Sequence, residues 1–309
     1  MLIIVAPGQG SQSPGFLEPW LEDPGFAARL EWLSAVAGLD LAHYGTHADA
    51  ETIRDTAVAQ PLLVGAGLVA ALALFPHPAD AFGRIGAVAG HSVGELTAAG
   101  LAGVLSYDDT MRLVGERGRA MAEAAAATPT SMTAVIGGQP DDVLTAIERA
   151  GLTPANNNGS GQIVAAGTLE QLAALAADPP ARARLIPLSV AGAFHTVHMQ
   201  PAVERLATLA ATITPRAPQI PLLSNADGAQ VSDGTEVLHR LVAQVANPVR
   251  WDLCMATLAE LGVTGLLELP PAGTLTGIAK RNLKGVELFA LNTPDQLDEA
   301  ADFIARHAA

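Results

Sequence analysis

The sequence is poor in cationic residues, and its two lysines are Lys280 and Lys284. Lysine and arginine together number 17 against 31 acidic residues, which gives a formal net charge of −14. An acidic surface repels nucleic acid and anionic lipid, so we expect neither nucleic acid nor a membrane as a partner. An anionic substrate or an acidic partner protein must instead be met by a local cluster of cations.

Cysteine is nearly absent, because the chain contains only Cys254. One cysteine cannot form an internal disulfide, and its apolar, helical-looking surroundings predict a buried core thiol. A basic stretch followed by an apolar one, the pattern of a secretory signal, is also missing from the N-terminus. We therefore expect a cytoplasmic protein.

Charge is missing from the apolar segment 56–79, which is long enough to raise the question of a membrane-spanning helix. Gln60, Pro61, Gly65 and Gly67 interrupt the segment, and the sequence has no second one of this kind. We therefore predict a helix that is buried against a sheet.

The 309 residues are 50% hydrophobic, so the chain can bury a large core. Apolar runs of strand length alternate with helical patterns, which predicts a mostly parallel α/β sheet. The continuous apolar run 2–6 is typical of a central strand that is covered on both faces. Between Asp23 and Leu41 we expect loop and a short helix.

The order of patterns changes between residues 127 and 191, where strand, helix, strand, strand, helix and strand follow one another. This order is typical of a ferredoxin-like subdomain. We therefore predict an α/β-hydrolase-like core with a mostly parallel sheet, formed by residues 1–126 and 192–309, plus an inserted ferredoxin-like subdomain at 127–191.

The pattern Gly-x-Ser-x-Gly occurs at residues 90–94, between a strand pattern and a helical pattern. It is typical of a nucleophile elbow, in which Gly90 and Gly94 relieve crowding and Ser92 is exposed to substrate. The N-terminus of the following helix would direct its N–H groups at the same point, which suits a developing oxyanion.

A serine hydroxyl needs a base within hydrogen-bond reach. His91 adjoins the serine, but we expect its side chain to leave the elbow in another direction. His195 lies among small residues just before a predicted helix, and it is the better candidate. A metal pair of His195 and His198 is an alternative, although no third ligand lies near them in the sequence.

A glycine-rich loop that contains Gln9 follows the first predicted strand. Gly8 and Gly10 make an imperfect dinucleotide fingerprint, which is a weak signal, and no Gly-Lys-Ser/Thr follows to form a P-loop. Ligands of parallel α/β sheets bind at the carboxyl ends of the strands, where both Gln9 and Ser92 are expected.

An ordinary α/β-hydrolase carries its histidine near the end of the chain and orients it with an acid. Here more than a hundred residues follow His195, and no acid stands out.

Six motifs in register along essentially the whole chain resemble those of malonyl-CoA:acyl carrier protein transacylases instead. They are residues 7–12 (PGQGSQ), 90–95 (GHSVGE), 117–118 (RG), 193–195 (AFH), 244–251 (QVANPVRW) and 271–277 (PAGTLTG).

The resemblance implies a role for each matching residue. Ser92 would accept the acyl group, and His195 would be its general base and acid. The backbone N–H groups of Gln9 and Val93 would form the oxyanion hole, and a carbonyl near Gln244 would orient the histidine in place of an acid.

Two further residues would select the substrate. The helical pattern alone puts Arg117 on a solvated face, whereas the resemblance implies that it binds the free carboxylate of the malonyl group, which suits a planar guanidinium. Phe194 is similar to the family's malonyl-selecting type, in which the ring leaves no room for a methyl branch.

The resemblance further implies a ping-pong reaction between malonyl-CoA and acyl carrier protein. No metal or other cofactor is expected, since coenzyme A and phosphopantetheine enter only as substrate carriers. A serine esterase or acyl-CoA thioesterase, and a non-catalytic docking subunit, are the alternatives. For docking of an acidic carrier protein, the candidate cations are Lys280, Arg281 and Lys284, or Arg182 and Arg184.

Overall fold

The computed structural model describes residues 1–308, which form two β-sheets with helices packed around them. The strands are β1 (Leu2–Ala6), β2 (Ala87–Gly90), β3 (Thr130–Gly137), β4 (Thr153–Asn157), β5 (Gln162–Thr168), β6 (Ala183–Pro187), β7 (Leu222–Leu223), β8 (Gln230–Val231), β9 (Val249–Arg250), β10 (Gly265–Glu268) and β11 (Glu287–Ala290).

The helices connect the strands and cover the sheets. They are α1 (Glu18–Leu21), α2 (Pro24–Ala37), α3 (Leu41–Thr46), α4 (Thr56–Leu74), α5 (Gly94–Leu101), α6 (Tyr107–Ala127), α7 (Pro140–Arg149), α8 (Leu169–Ala177), α9 (Gln200–Ala210), α10 (Gly234–Ala243), α11 (Trp251–Glu260), α12 (Thr274–Asn282) and α13 (Leu297–His307). Short 3-10 helices occur at Thr52–Arg54, Pro78–Ala81, Val197–Met199, Gln244–Ala246 and Pro294–Gln296.

The larger sheet has the strand order β11-β10-β1-β2-β7-β8. Its strands are parallel except for β8, which pairs antiparallel with β7. All of β1 is buried, and the strand lies between β2 and β10. The prediction of a central first strand in a mostly parallel sheet is confirmed.

The smaller sheet has the order β6-β3-β5-β4-β9. Its first four strands pair antiparallel with one another and come from a continuous β-α-β-β-α-β segment, which is the ferredoxin-like arrangement. The expected fold class is therefore confirmed. Because β9 joins this sheet from the C-terminal part of the chain, the division at residues 127 and 191 stays a prediction.

Helix α4 contains the long apolar segment. Among residues 1–308 it is the one helix long and apolar enough to span a membrane, yet 78% of that window is buried inside the protein. It packs against α2, α5 and α6. The prediction of a buried helix is confirmed, but the expected sheet neighbour was wrong, because other helices surround α4 and account for its apolar composition.

The expectation of loop and a short helix between Asp23 and Leu41 was wrong. Helix α2 runs for 14 residues there, with Phe26, Leu30 and Leu33 buried on one face. Pro24 is at the first helical turn, where its missing N–H costs nothing, and the Asp23 side chain caps the helix. The proline therefore begins this helix and does not interrupt it.

The turn between β2 and α5 has no space for side chains at its two glycines. A Cβ on Gly94 would lie 2.2 Å from the carbonyl oxygen of Ala6, and a Cβ on Gly90 would lie 1.9 Å from the carbonyl carbon of Gly94. Both neighbours are backbone atoms, which cannot rotate away. Only glycine therefore allows β1, β2 and α5 to approach this closely.

We predict that Gly94→Ala lowers the free energy of unfolding by about 2 kcal/mol or more, because the backbone must move to admit the methyl group. Urea unfolding followed by circular dichroism measures the change. Gly277→Ala is the matched control, since Gly277 lies in α12 with open space at its Cβ position. Alanine there should leave stability unchanged or raise it by up to about 1 kcal/mol.

A Gly94→Ala protein that unfolds at the wild-type urea concentration would show that the turn tolerates a Cβ.

Candidate active site

A cavity of about 260 Å³ opens where β1 and β2 end and where the smaller sheet presents one face. Its lining includes Gln9 and Ser92 from the loops after these two strands, together with Phe194, His195 and Ile278. The structure thus brings the predicted serine, the predicted histidine and the glycine-rich loop to one site. It lies at the edge of the sheet where ligands of α/β proteins bind.

Ser92 is held in a backbone conformation that few non-glycine residues adopt. Its φ is 53°, and such a conformation costs on the order of 1–3 kcal/mol unless the surroundings enforce it. The side chain of Asn225 provides this enforcement, because its Oδ1 accepts the Ser92 N–H at 2.8 Å and its Nδ2 donates to the Gly90 carbonyl at 2.8 Å. The hydroxyl is thereby directed into the cavity.

His195 lies opposite the serine, with Nε2 at 2.7 Å from the Ser92 Oγ. Its Nδ1 is 2.8 Å from the carbonyl oxygen of Gln244, which can only accept a hydrogen bond. Nδ1 therefore carries the proton, and Nε2 presents its lone pair to the hydroxyl. This geometry allows a proton to pass from the serine to the histidine.

Burial strongly favours the neutral form of this histidine. His195 is only 3% exposed, and burial, assisted by the nearby charge of Arg117, lowers its pKa to about 3. His91 bonds through Nε2 to Asn158 at 2.9 Å and packs edge-on against Trp251, so it does not meet the serine hydroxyl. The expected direction of the His91 side chain is the one observed.

Two backbone N–H groups next to the serine are without acceptors among residues 1–308. They belong to Gln9 and Val93, both of which line the cavity. The Gln9 side chain is fixed by two hydrogen bonds, which it donates to the Arg54 carbonyl and the Thr56 hydroxyl at 3.2 Å each. The free N–H groups can receive an oxyanion that forms beside Ser92.

Arg117 is buried, with 2% of its surface exposed. The solvent-exposed position that the helical pattern alone predicted was therefore wrong. Its guanidinium donates to Oε1 of Gln60 at 2.6 Å, to Oε1 of Gln244 at 2.9 Å and to the Ser92 Oγ at 3.4 Å. Within residues 1–308 it forms no salt bridge. Burial lowers the pKa of Arg117 to about 10, partly offset by Glu95, so the group remains a cation at neutral pH.

Sequence reasoning did not assign Gln60, Glu95 or Asn225 to the site. Glu95 is 5% exposed, and burial raises its pKa to about 8 against the opposing effect of the Asn225 N–H, the Gln244 amide and the Arg117 charge. A polar residue within an apolar helical segment was the sequence signal that could have identified Gln60. Asn225 follows the short strand β7, and no sequence pattern marked it as a site residue.

Helix α12 forms one wall of the cavity, and Glu268 fixes its position. This buried carboxylate, at the end of β10, accepts the backbone N–H groups of Gly273, Leu275 and Thr276 at 2.8–2.9 Å. The N-terminus of α12 is therefore satisfied within the protein. Leu275 and Ile278 face the cavity as a result.

A metal site at His195 and His198 finds no support. Both ring nitrogens of His195 are engaged, by Ser92 and by Gln244. In the part of the chain that the structure describes, no group of three or more His, Cys, Asp or Glu side chains is arranged to hold a metal ion.

Known proteins resemble this chain over almost its whole length. A family model described as acyl transferase domain matches residues 3–301. The malonyl CoA-acyl carrier protein transacylase of Mycobacterium tuberculosis is 51% identical over 302 residues, covering 98% of this chain and 100% of that protein. The crystal structure of MCAT from Mycobacterium tuberculosis matches with a TM-score of 0.94 at 51% identity, covering 97% of this chain and 99% of that chain.

A second solved structure contains two proteins, a type II PKS acyl-carrier protein in complex with its malonyl-transacylase. The match has a TM-score of 0.89 at 31% identity, and it covers 97% of this chain and 99% of that chain.

We predict that His195 makes stability depend on pH. Its pKa of about 3 in the folded state lies below the usual 6.5, so the unfolded chain binds more protons between these values. The stability carried by the neutral ring is fully present above about pH 6.5 and is lost as the pH falls. The difference in unfolding free energy between wild type and His195→Asn should therefore shrink from about pH 7 to about pH 5.

Urea unfolding over a series of pH values measures this difference. His77→Asn, which alters an exposed histidine, is the control and should follow the wild-type profile. A wild-type advantage over His195→Asn that stays constant with pH would contradict the prediction.

Proposed function

The chain belongs to the acyl transferase domain family, and on that premise we propose that it transfers the malonyl group of malonyl-CoA to the phosphopantetheine thiol of acyl carrier protein. Malonyl-CoA and acyl carrier protein are its partners, and the reaction supplies fatty acid chain elongation. The observation that carries the proposal is the buried cation of Arg117, 3.4 Å from the Ser92 hydroxyl and surrounded by neutral side chains. An acyl group that ends in a carboxylate fits this pair.

In the first half-reaction the Ser92 hydroxyl attacks the thioester carbonyl while its proton moves to Nε2 of His195. The tetrahedral oxyanion accepts hydrogen bonds from the N–H groups of Gln9 and Val93. When the intermediate collapses, the carbon–sulfur bond breaks and coenzyme A leaves with the proton from His195. The product is a malonyl ester on Ser92.

In the second half-reaction the phosphopantetheine thiol gives its proton to His195 and attacks the ester. The serine oxygen leaves and recovers that proton. The Gln244 carbonyl orients the imidazole in both steps, and this neutral orienter stabilises the imidazolium less than a carboxylate would. We propose that no metal or other cofactor takes part.

Substrate selection would rest on Arg117 and Phe194. A guanidinium binds a carboxylate bidentately, and it stays charged in a partly dry pocket. Phe194 is 6% exposed and lines the cavity beside the histidine, which supports a role in excluding a methyl branch on the acyl chain.

We also propose a cytoplasmic location without nucleic acid or membrane partners, in keeping with the charge of −14 and the burial of α4.

A basic cluster of Lys280, Arg281 and Lys284 is the surface proposed for docking of an acidic carrier protein. All three residues are exposed, and within residues 1–308 none forms a salt bridge. The cluster belongs to the end of α12, and Arg281 donates to Gln162, a cavity-lining residue, at 3.0 Å. A carrier protein held there would be close to the cavity mouth.

We predict that brief mixing with malonyl-CoA adds one malonyl group to the wild-type protein and none to Ser92→Ala, because the ester forms on that hydroxyl. Intact-protein mass spectrometry detects the adduct. Addition of carrier protein should then move the group to its phosphopantetheine.

The same experiment separates the alternatives. Rapid release of free malonate without transfer would indicate a hydrolase, and the absence of both adduct and turnover would indicate a docking subunit. Either result would overturn the proposed function.

We predict that the double variant Lys280→Glu/Arg281→Glu raises the KM for carrier protein about tenfold or more at low salt, because like charges then face the acidic partner. The KM for malonyl-CoA should stay unchanged. The comparison variant is Arg182→Glu/Arg184→Glu, which reverses the alternative cation pair at the edge strand β6. An equal effect in the two double variants would reject the Lys280–Lys284 cluster as the docking surface.

A further inference from the structure

The side-chain amide of Gln244 lies between two ionisable groups, Arg117 and Glu95, at the centre of the site. Its Oε1 accepts a hydrogen bond from Arg117 at 2.9 Å. Its Nε2 faces three oxygens, namely Oε2 of Glu95, the Ser92 carbonyl at 3.1 Å and Oδ1 of Asn225 at 3.2 Å. A flipped amide would turn its oxygen to these oxygens and its NH₂ to the guanidinium, so only one orientation satisfies the neighbours.

Glu95 is the ionisable member of that set of acceptors. Its Oε2 accepts from the Gln244 amide, and its Oε1 accepts from the Asn225 N–H at 2.6 Å. Both groups that face the carboxyl are N–H donors. A carboxylate accepts at both ends, whereas a glutamine in the same place would oppose one of these donors with its own NH₂.

The carboxylate is also kept away from the guanidinium. Because Asn225 and Gln244 hold its two oxygens, Glu95 does not contact Arg117, and the attraction between them acts through the intervening amide. A direct ion pair would occupy the N–H donors that a substrate carboxylate needs. The arrangement stabilises the buried cation and leaves it able to bind a second anion.

We propose that Glu95 is a positioning residue for malonyl recognition, in which its carboxylate fixes the amide of Gln244 and the amide holds Arg117 toward the carboxylate of the substrate. This inference rests on the proposed malonyl transfer. It concerns recognition of the acyl group and not the attack by Ser92, so it predicts an effect on malonyl groups that neutral acyl groups do not share.

The test is a double-mutant cycle of wild type, Glu95→Gln, Arg117→Ala and the double variant. For each protein, kcat/KM for acylation is measured with malonyl-CoA and with acetyl-CoA, which has no free carboxylate. A pH of about 9 keeps the Glu95 carboxyl group mostly ionised in the wild type. Glu95→Gln should lower the ratio of malonyl to acetyl kcat/KM about 10–100-fold, the effect of one charge-assisted hydrogen bond.

In the Arg117→Ala background, Glu95→Gln should lower this ratio no further, because the guanidinium on which Glu95 acts is gone. Thr97→Val is the matched control, since Thr97 is buried on the same helix and is outside this network. The control should keep the wild-type ratio. Glu95→Asp retains two acceptor oxygens and should restore part of the ratio.

An equal loss for malonyl and acetyl groups would assign Glu95 a purely structural role and overturn the proposal. An unchanged ratio, or a further fall in the Arg117→Ala background, would overturn it as well. If Glu95→Gln does not fold, Glu95→Ala, which also removes the two acceptor oxygens, enters the cycle in its place with the same criteria. A wild-type protein that accepts no malonyl group would instead refute the proposed function on which the inference rests.

Discussion

The close backbone approach at residues 90–94 is the constraint on which the site depends. Two glycines without space for a Cβ bring the end of β2, the start of α5 and the end of β1 together. The same crowding puts Ser92 at a positive φ and leaves the N–H groups of Gln9 and Val93, beside its hydroxyl, without an acceptor within residues 1–308. Packing and the Asn225 side chain stabilise a conformation that is unfavourable in isolation.

A second constraint follows from burying a cation in a strongly acidic protein. Arg117 is solvated by amide and hydroxyl oxygens, and the carboxyl group of Glu95 acts on it through Gln244. Neutral oxygens around the guanidinium keep it charged, but they leave some of its hydrogen-bond donors free. N–H donors left free on Arg117 raise its affinity for an anionic acyl group, but they also make burial of the cation less favourable. The Gln244 amide sets the balance between these two effects.

The sequence patterns predicted those parts of the fold that arise from local order. The elbow, the buried first strand and the β-α-β-β-α-β segment each depend on residues close together in the chain. The contacts of Arg117 with Gln60 and Gln244 join positions 57 and 127 residues apart, which no local pattern reveals. Strand β9 has only two residues and was missed for a related reason, since its pairing partner β4 alone defines it as a strand. The roles of Ser92 and His195 stay predictions that the observed geometry supports.

The position of β1 between β2 and β10 has a consequence for synthesis of the chain. β1 and β2 are synthesised before β10, because β2 ends at residue 90 whereas β10 is complete only at residue 268. Throughout that interval one edge of a fully apolar strand has no partner, and open edges of this kind promote aggregation. A chain released before β10 would retain an exposed strand edge as well as an incomplete cavity wall, so it would be a substrate for chaperones or proteases and not a partial enzyme.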